Sequence, residues 1–152
     1  MPLYLVQHGK NLPKDVDPEK GLSDEGKKDV GRIAALAKEY AIDVKGIGHS
    51  GKKRAKQTAE IFAQSLEPTG GVREMEGLGP LDDVSKLDLS PGENWMLVGH
   101  LPFMEKLTSF LITGDAERPP VLKFQNGGIV CLDQDPETKA WVIKWTLFPH
   151  IG

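Results

Sequence analysis

Short apolar runs of strand length alternate along this chain with longer segments in which apolar residues recur at helical spacing. Residues 3–7 form the first run, which predicts a buried strand. The next segment predicts a helix from Ser23, a suitable N-cap, to about Tyr40. Its apolar face is expected to contain Val30, Ile33, Ala34 and Ala37.

The same alternation continues through the middle of the chain. A short strand is expected near residues 45–49, followed by a helix that Ser50 caps and that ends before Pro68. The buried face of this helix is expected to contain Ala55, Thr58, Ala59, Phe62 and Leu66. Residues 72–93 have the weakest pattern, and we expect a helix around residues 81–89 there.

The last third of the chain predicts a strand, a helix and a hairpin. Residues 95–98 are typical of a central strand, and Pro102 then suits the first turn of a helix, where its missing N–H costs nothing. Gly114 is a suitable end for that helix. Residues 128–132 and 140–147 flank a polar turn, and the second of these segments alternates apolar and polar residues, as a β-hairpin does.

This order of elements predicts an α/β fold built as a single domain over residues 1–152. We expect three layers, α/β/α, in which helices flank a mixed, mostly parallel sheet and a C-terminal β-hairpin extends that sheet. A chain of this length can bury roughly 68–70% of its unfolded surface in one core.

Composition and charge exclude several classes of function. The formal net charge is −3 and no long run of Lys or Arg is present, which argues against nucleic-acid binding. No apolar run approaches the ~20 residues of a membrane span, and no basic region with a long apolar stretch stands at the N-terminus. The expected location is therefore cytoplasmic. Cys131 is the single cysteine, so it cannot form an internal disulfide, and we expect a buried, inert thiol.

Three predicted strands each run into a histidine: His8, His49 and His100. In an open parallel α/β sheet, ligands bind outside the carboxyl ends of the strands. Arg54 lies just beyond the second of these histidines, at the start of a predicted helix whose free amides favour an anion. We therefore expect His8, Arg54 and His100 to converge on an anion, for which a phosphoryl group is the best match.

The residue types suit phosphoryl chemistry. A neutral imidazole with a pKa of ~6.5 is a usable nucleophile, and Gly9 leaves the approach to His8 unobstructed. Arg54 can donate two parallel hydrogen bonds to phosphate oxygens, Ser50 can add a hydroxyl, and His100 can donate to a further oxygen. Taken singly, each residue also has an ordinary explanation: a hydrogen-bonded loop histidine, a solvated basic patch or a helix cap.

The three histidines at the strand ends also allow a different hypothesis, a metal site. Catalytic zinc often has three protein ligands, so His8, His49 and His100 could form a metal site. That site would lack a short ligand spacing and would leave Arg54 without a role, so no metal is expected. Outside that alternative, His49 is expected to be packed or exposed, and His150 is given no function.

Three motifs stand in order along nearly the whole chain. They are a strand that ends in His8-Gly9, the run 50–60 containing Arg54-Ala55-Lys56-Gln57-Thr58-Ala59, and Val98-Gly99-His100-Leu101-Pro102. Together with the stretch 21–26, they resemble the histidine phosphatase (phosphoglycerate mutase-like) superfamily. Within it, the chain is similar to the short SixA-type phosphohistidine phosphatases.

The resemblance implies a phosphoglycerate mutase-like fold and a hydrolase that needs no cofactor. His8 would attack a phosphoryl group and become transiently phosphorylated, while Arg54 and His100 hold its oxygens until water releases phosphate. The phosphate-binding set would be Gln7, Gly9, Ser50, Arg54 and His100. The partner would be a phosphorylated protein in signal transduction, such as a histidine-containing phosphotransfer domain, or a small phosphorylated molecule.

Gln7 departs from the superfamily signature, in which an arginine directly precedes the nucleophile. A glutamine amide brings no charge, and losing one preorganised contact of this kind costs about 2.7–4 kcal/mol, or about 10²–10³ in rate. Lys10, Lys52 or Lys53 could supply positive charge, although without bidentate geometry. Two hypotheses therefore stand: a phosphatase of reduced activity, and a module that binds phosphate or a phosphoprotein without hydrolysing it.

The sequence does not define a general acid. The resemblance places a carboxylate in residues 72–84, where Glu76, Asp82 and Asp83 are the candidates. A phosphohistidine substrate would need little assistance from an acid, because its leaving imidazole has a pKa of ~6.5, far below that of an alcohol.

Overall fold

The computed structural model describes residues 2–151, which form six strands, three α-helices and one short 3₁₀ turn. The strands are β1 (Leu3–Gln7), β2 (Gly46–His49), β3 (Val72–Glu74), β4 (Trp95–Gly99), β5 (Ile129–Gln134) and β6 (Trp141–Leu147). The helices are α1 (Asp24–Glu39), α2 (Lys53–Leu66) and α3 (Phe103–Thr113).

All six strands belong to one mixed sheet with the order β3-β2-β4-β1-β5-β6. β3, β2, β4 and β1 are parallel, whereas β5 runs antiparallel to β1 and β6 antiparallel to β5. The predicted parallel core with a C-terminal hairpin is therefore confirmed. Because β1 and β4 are neighbours, their carboxyl ends place the residues that follow them side by side.

Helices cover both faces of the sheet, so the predicted three-layer α/β/α architecture is also confirmed. α1 and α2 pack on one face, in a cluster that includes Val6, Val30, Ile33, Phe62 and Val98. α3 packs on the other face, in a cluster that includes Leu5, Leu97, Phe103, Met104 and Leu107. β1 and β4, the central strands of the parallel core, are nearly continuous apolar runs and are buried from both sides.

The helix predicted around residues 81–89 is wrong. This segment contains only a 3₁₀ turn at Val84–Lys86, and Val84 is its one buried residue. Leu81 is 89% exposed, so the apolar residues here do not form a continuous face that a helix could bury. β3 is a strand that the pattern did not predict, since three residues are too few to show an alternation.

The starts of the first two helices differ in how well the sequence predicted them. Ser23 caps α1 as expected, and its Oγ accepts a hydrogen bond from the Gly26 N–H at 3.0 Å. The prediction that Ser50 caps α2 is wrong, because this helix begins at Lys53 and Lys52 occupies the N-cap position without a side-chain cap. The Ser50 hydroxyl instead bonds to a histidine ring.

α3 begins one residue later than predicted. Pro102 occupies its N-cap position rather than its first turn. Gly114 ends the helix as expected, in the left-handed conformation with φ at +80°, which glycine adopts without steric cost.

Two further expectations concern burial and the membrane. Cys131 is 1% exposed, and burial raises the pKa of its thiol to about 11, so it is inert as a nucleophile, as predicted. Within residues 2–151, every helix is too short or too polar to span a bilayer.

Candidate active site

The rings of His8 and His100 lie side by side at the carboxyl edge of the sheet. Gln7 in β1 pairs with Gly99 in β4, so the next residue of each strand is a histidine. The His8 N–H donates to the Gly99 carbonyl at 3.0 Å, and the two ring centroids are 5.0 Å apart with 52° between their planes. The structure thus brings together the two imidazoles that the sequence predicted to converge.

Hydrogen bonds fix the orientation of His8. Its Nδ1 lies 2.7 Å from the Gly9 carbonyl oxygen, which can only accept, so Nδ1 carries the proton in the neutral ring and Nε2 keeps a free lone pair. The backbone is held on either side, because Asn126 Nδ2 donates to the His8 carbonyl at 2.9 Å and the Gly9 N–H donates to Thr58 Oγ1 at 2.9 Å. This tautomer is the one that a nucleophilic Nε2 requires.

Gly9 is a point of close approach between the site and α1. A Cβ at this position would lie 2.7 Å from Val30 Cγ2, so a larger residue would displace the helix or the strand end. Its N–H is occupied by Thr58. The contribution of Gly9 to phosphate binding therefore stays a prediction that concerns access to His8.

Ser50 and His100 form a short hydrogen bond, with 2.6 Å between Oγ and Nε2. Ser50 thus reaches the site from the loop after β2, as the sequence predicted, although it does not cap the helix. Nδ1 of His100 is buried and has no hydrogen-bond partner in the described part of the chain. A phosphoryl oxygen near this ring would compete with the Ser50 hydroxyl for Nε2.

Arg54 lies in the first turn of α2, and one hydroxyl links its backbone carbonyl to Gly9, the residue after His8. Thr58 Oγ1 accepts from Gly9 and donates to the Arg54 carbonyl at 2.8 Å. The Arg54 side chain is partly buried, which lowers the pKa of the guanidinium, although an arginine stays charged in a protein. Its positive charge acts on both rings, since it lowers the pKa of His8 and of His100.

Both histidines are neutral at neutral pH. Burial lowers the pKa of His8 to about 4, against the opposing effect of its bond to Gly9, and the charges of Arg54 and Lys20 lower it further. Burial likewise lowers the pKa of His100 to about 3, with contributions from His8, Arg54 and Lys52. The unprotonated Nε2 of His8 is therefore available over the whole physiological range of pH.

These low pKa values predict that the fold loses stability as the pH falls from about 6.5 to about 4. In the unfolded chain both rings titrate near 6.5, so below that pH the unfolded state binds protons that the folded state does not. The free energy of unfolding should fall by up to about 1.4 kcal/mol per pH unit for each histidine. Denaturant titrations in phosphate-free buffer, between about pH 7.5 and 4.5, measure this slope.

The control is His8→Asn, whose amide can keep the hydrogen bond to the Gly9 carbonyl. It should remove the share of the slope that His8 contributes and leave the share of the other buried histidines, whose pKa values burial also lowers. A free energy of unfolding that does not change over this range would contradict the buried, neutral state of both rings.

The sequence matches no protein-family model and none of the curated proteins. Solved structures are similar along the whole chain. A protein histidine phosphatase SixA in complex with tungstate superposes with a TM-score of 0.81 at 23% identity, covering 98% of this chain and 97% of that one. A mycobacterial glucosyl-3-phosphoglycerate phosphatase in complex with VO3 gives a TM-score of 0.72 at 14% identity, covering 95% and 97%.

A third structure extends the comparison. A mutant phosphoserine phosphatase from Entamoeba histolytica in complex with phosphoserine gives a TM-score of 0.69 at 14% identity, covering 98% of both chains. This chain has the histidine phosphatase fold. The predicted phosphoglycerate mutase-like architecture is thereby confirmed.

Gln7 is the residue directly before His8, and its Oε1 is buried without a hydrogen-bond partner in the described part of the chain. The Gln7 side chain lines a cleft of about 390 Å³, together with Lys10, Asn126 and His150. Arg54 lines a separate cleft of about 590 Å³.

Two of the three lysines that the sequence suggested as a source of positive charge are already paired with carboxylates. Lys10 Nζ lies 2.8 Å from Glu25, and Lys53 Nζ lies 2.9 Å from Asp17. Lys52 remains, and its charge lowers the pKa of His100.

Lys20 is a further cation near the site that the sequence did not indicate. Its charge lowers the pKa of His8, although twelve positions separate the two residues along the chain. Only the path of the loop before α1 brings it to the histidine, and no local pattern encodes that path.

The three candidate general acids lie after β3 and differ in how they are used. Glu76 is exposed. Asp82 accepts from the Gly79 N–H at 2.7 Å, and Asp83 caps the 3₁₀ turn, where hydrogen bonds from Ser85 lower its pKa. Asp82 and Asp83 thus have structural partners, and proton donation by any of the three stays a prediction.

Glu74 is a carboxylate near the site that the sequence did not indicate. It is the last residue of β3, and its side chain lies so close to Gly51 that a Cβ there would overlap the carboxylate. Gly51 directly follows Ser50 in the loop that reaches His100. Because β3 was not predicted, nothing in the pattern placed Glu74 at this edge.

His8, His49 and His100 do not bring their ring nitrogens close enough together to form the alternative metal site. His49 Nδ1 accepts from the Gly51 N–H at 3.0 Å, and this residue is 4% exposed, so it is packed as expected. His150 Nε2 lies 3.0 Å from a carboxylate oxygen of Asp29. Within residues 2–151, Glu25, Asp29 and His150 are the one group of potential ligands whose atoms all lie within 4.8 Å of one another.

Proposed function

We propose that this protein is a phosphatase that removes a phosphoryl group through a covalent intermediate on His8. One observation carries the proposal: His8 presents an unprotonated Nε2 beside the ring of His100, within the electrostatic range of the Arg54 guanidinium. A fold shared with solved phosphatases, one of them in complex with the tetrahedral oxyanion tungstate, supports the same conclusion.

The proposed reaction has two displacements at phosphorus. In the first, the Nε2 lone pair of His8 forms an N–P bond while the bond from phosphorus to the leaving atom breaks, and the leaving group keeps that electron pair and takes up a proton. In the second, water attacks phosphorus, the N–P bond breaks, and inorganic phosphate leaves. Arg54 and His100 hold the phosphoryl oxygens in both steps, which supplies most of the catalysis in such transfers.

We propose phosphohistidine on a partner protein as the substrate. Glu76 is exposed, and Asp82 and Asp83 are engaged in local hydrogen bonds, so no carboxylate stands out as a proton donor. A leaving imidazole has a pKa of ~6.5 and departs with little assistance, whereas an alkoxide does not. This site therefore suits a phosphoramidate better than a sugar phosphate.

A second function is a module that binds phosphate or a phosphorylated partner without hydrolysing it. Gln7 favours this alternative, because it brings no charge to the position directly before the nucleophile. Gln7 also lines a different cleft from Arg54.

Turnover separates the two functions. The purified protein is incubated with a phosphohistidine-bearing protein and with p-nitrophenyl phosphate, and released phosphate is measured. The phosphatase should release phosphate and carry an acid-labile phosphoryl group after rapid quenching, whereas His8→Ala should do neither. Release of phosphate from neither substrate, with the wild-type protein as silent as His8→Ala, would defeat the proposal and leave the binding module.

A further inference from the structure

The cleft that contains Arg54 is lined mostly by positively charged residues. We call it the basic cleft, and it is defined by Lys14, Lys20, Lys52, Lys53, Arg54 and Lys56. Its volume is about 590 Å³, and Glu19 is the one carboxylate that lines it. The whole chain carries a net charge of −3, so positive charge is concentrated here and the rest of the surface is acidic.

Most of these cations have no anionic partner. Lys53 is compensated, with its Nζ 2.9 Å from Asp17 and 3.8 Å from Glu19. Among residues 2–151, no carboxylate lies within 4.0 Å of the charged groups of the other members, which are Lys14, Lys20, Lys52, Arg54 and Lys56. Uncompensated like charges repel one another, so an anionic ligand would relieve that repulsion.

The loop that presents two of these lysines is fixed in place. The Asp17 carboxylate accepts from the N–H groups of Glu19 and Gly21 at 3.0 and 2.9 Å, as well as from Lys53 on α2. The hydrogen bond from Lys53 and those from the two amides lower the pKa of Asp17 to about 2, so it stays charged at any physiological pH. Lys14 and Lys20 are therefore held near α2 in the folded protein.

The positive charge of the basic cleft exceeds what one phosphoryl group needs. A protein-bound phosphoryl group carries about −1.5 to −2 charges at neutral pH. Arg54, Lys20 and Lys52 line the basic cleft, and their three positive charges already exceed that charge. Lys14 and Lys56 are exposed, and neither forms an ion pair with a carboxylate among residues 2–151. Their charge is available for groups of the substrate other than the phosphoryl group.

We infer that the basic cleft binds an acidic protein surface, so that the preferred substrate carries aspartate or glutamate side chains beside its phosphorylated residue. This inference rests on the proposed substrate class, a phosphoprotein. Exposed ammonium groups on long side chains, contributed by two separate segments of the chain, match carboxylates spread over a surface. A small, multiply phosphorylated molecule would instead need donors that converge on a compact volume, and this alternative is an outcome of the test.

Binding of peptide probes tests the inference without requiring turnover. One peptide carries a non-hydrolysable phosphohistidine analogue flanked by three aspartates on each side, and its matched control carries asparagines instead. Fluorescence anisotropy gives the dissociation constants at low and moderate salt. The acidic peptide should bind at least about tenfold more tightly at low salt, and the difference should shrink as salt screens the charges.

Reversing the charge of two lysines tests whether the preference for the acidic peptide arises in the basic cleft. Lys14→Glu combined with Lys56→Glu should reduce the ratio of the two affinities about tenfold, and the ratio cancels any general change in the protein. The matched control is Lys27→Glu combined with Lys28→Glu, which changes the net charge equally at exposed positions of α1 and should leave the ratio unchanged. Equal affinity for both peptides, or an equal loss in both double variants, would overturn the inference.

Two further measurements, binding of tripolyphosphate and turnover of p-nitrophenyl phosphate, separate the inference from its alternatives. Tripolyphosphate that binds more tightly than the acidic peptide would show that the cleft takes compact polyphosphates, and the inference would be wrong. Turnover of p-nitrophenyl phosphate is followed in parallel. If the protein turns over substrate but does not prefer the acidic peptide, the inference is wrong and the proposed catalysis is unaffected. If it prefers the acidic peptide but shows no turnover, the proposed catalysis is wrong and the inferred binding surface is supported.

Discussion

Replacing Gln7 by arginine is expected to raise kcat/KM for phosphate release by about 10²–10³, the reciprocal of the loss of one preorganised donor to developing charge. The substitution places a guanidinium directly before the proposed nucleophile His8, on the strand that pairs with β4. Gln7 Oε1 is buried without a hydrogen-bond partner, so its removal forfeits no hydrogen bond at that atom. Steady-state kinetics with p-nitrophenyl phosphate and a phosphohistidine-bearing protein measure the gain.

Two control substitutions at the same position separate charge from geometry. Gln7→Lys adds the charge without the planar fork and should recover only part of the gain. Gln7→Met adds neither and should give none. If arginine gives no more turnover than methionine, the site has been remodelled around Gln7 and the binding module becomes the better hypothesis.

Replacing Arg54 by glutamine is expected to lower kcat/KM by about 10³ or more, the range found when an arginine that stabilises a phosphoryl transition state is removed. Arg54 is the one charged member of the predicted catalytic set, since His8 and His100 are both neutral at neutral pH. Rapid-quench labelling should show that formation of the phosphorylated protein is slowed.

The control for this prediction is Arg54→Lys, which keeps the charge and loses the bidentate donor. It should retain more activity than glutamine and less than arginine. Thr58 binds the backbone carbonyl of residue 54, so both variants keep the link between α2 and Gly9. Circular dichroism should therefore match the wild type. Activity of Arg54→Gln near the wild-type level would show that the phosphoryl group is held elsewhere.

The sequence predicted the centre of the site because that information is local. An apolar run followed by a histidine identifies a strand and the residue at its carboxyl end, and parallel pairing then places His8 next to His100. The amphipathic stripes of α1 and α2 and the hairpin were predictable for the same reason. In each case the period of apolar residues matches the period of one element.

The parts that the sequence did not predict depend on long-range packing. Residues 81–89 contain enough apolar residues for a helix, yet Leu81 remains exposed and only Val84 is buried. Ser50 is a good capping residue by type, but tertiary structure places its hydroxyl 2.6 Å from His100. Thr58 was predicted as a core residue, and its second role as the partner of Gly9 requires a contact across 49 positions.

The position of the Thr58 hydroxyl suggests how the substrate preference of the protein could be changed without altering the proposed active site. It ties the strand end that bears the nucleophile to the helix that bears the guanidinium, deep under the surface. Lys14 and Lys56 are exposed to solvent and take no part in these hydrogen bonds. If Lys14 and Lys56 select the substrate protein as inferred above, substitutions at these two positions should change which phosphoprotein is preferred. The hydrogen bonds of Thr58 under the proposed active site would stay unchanged.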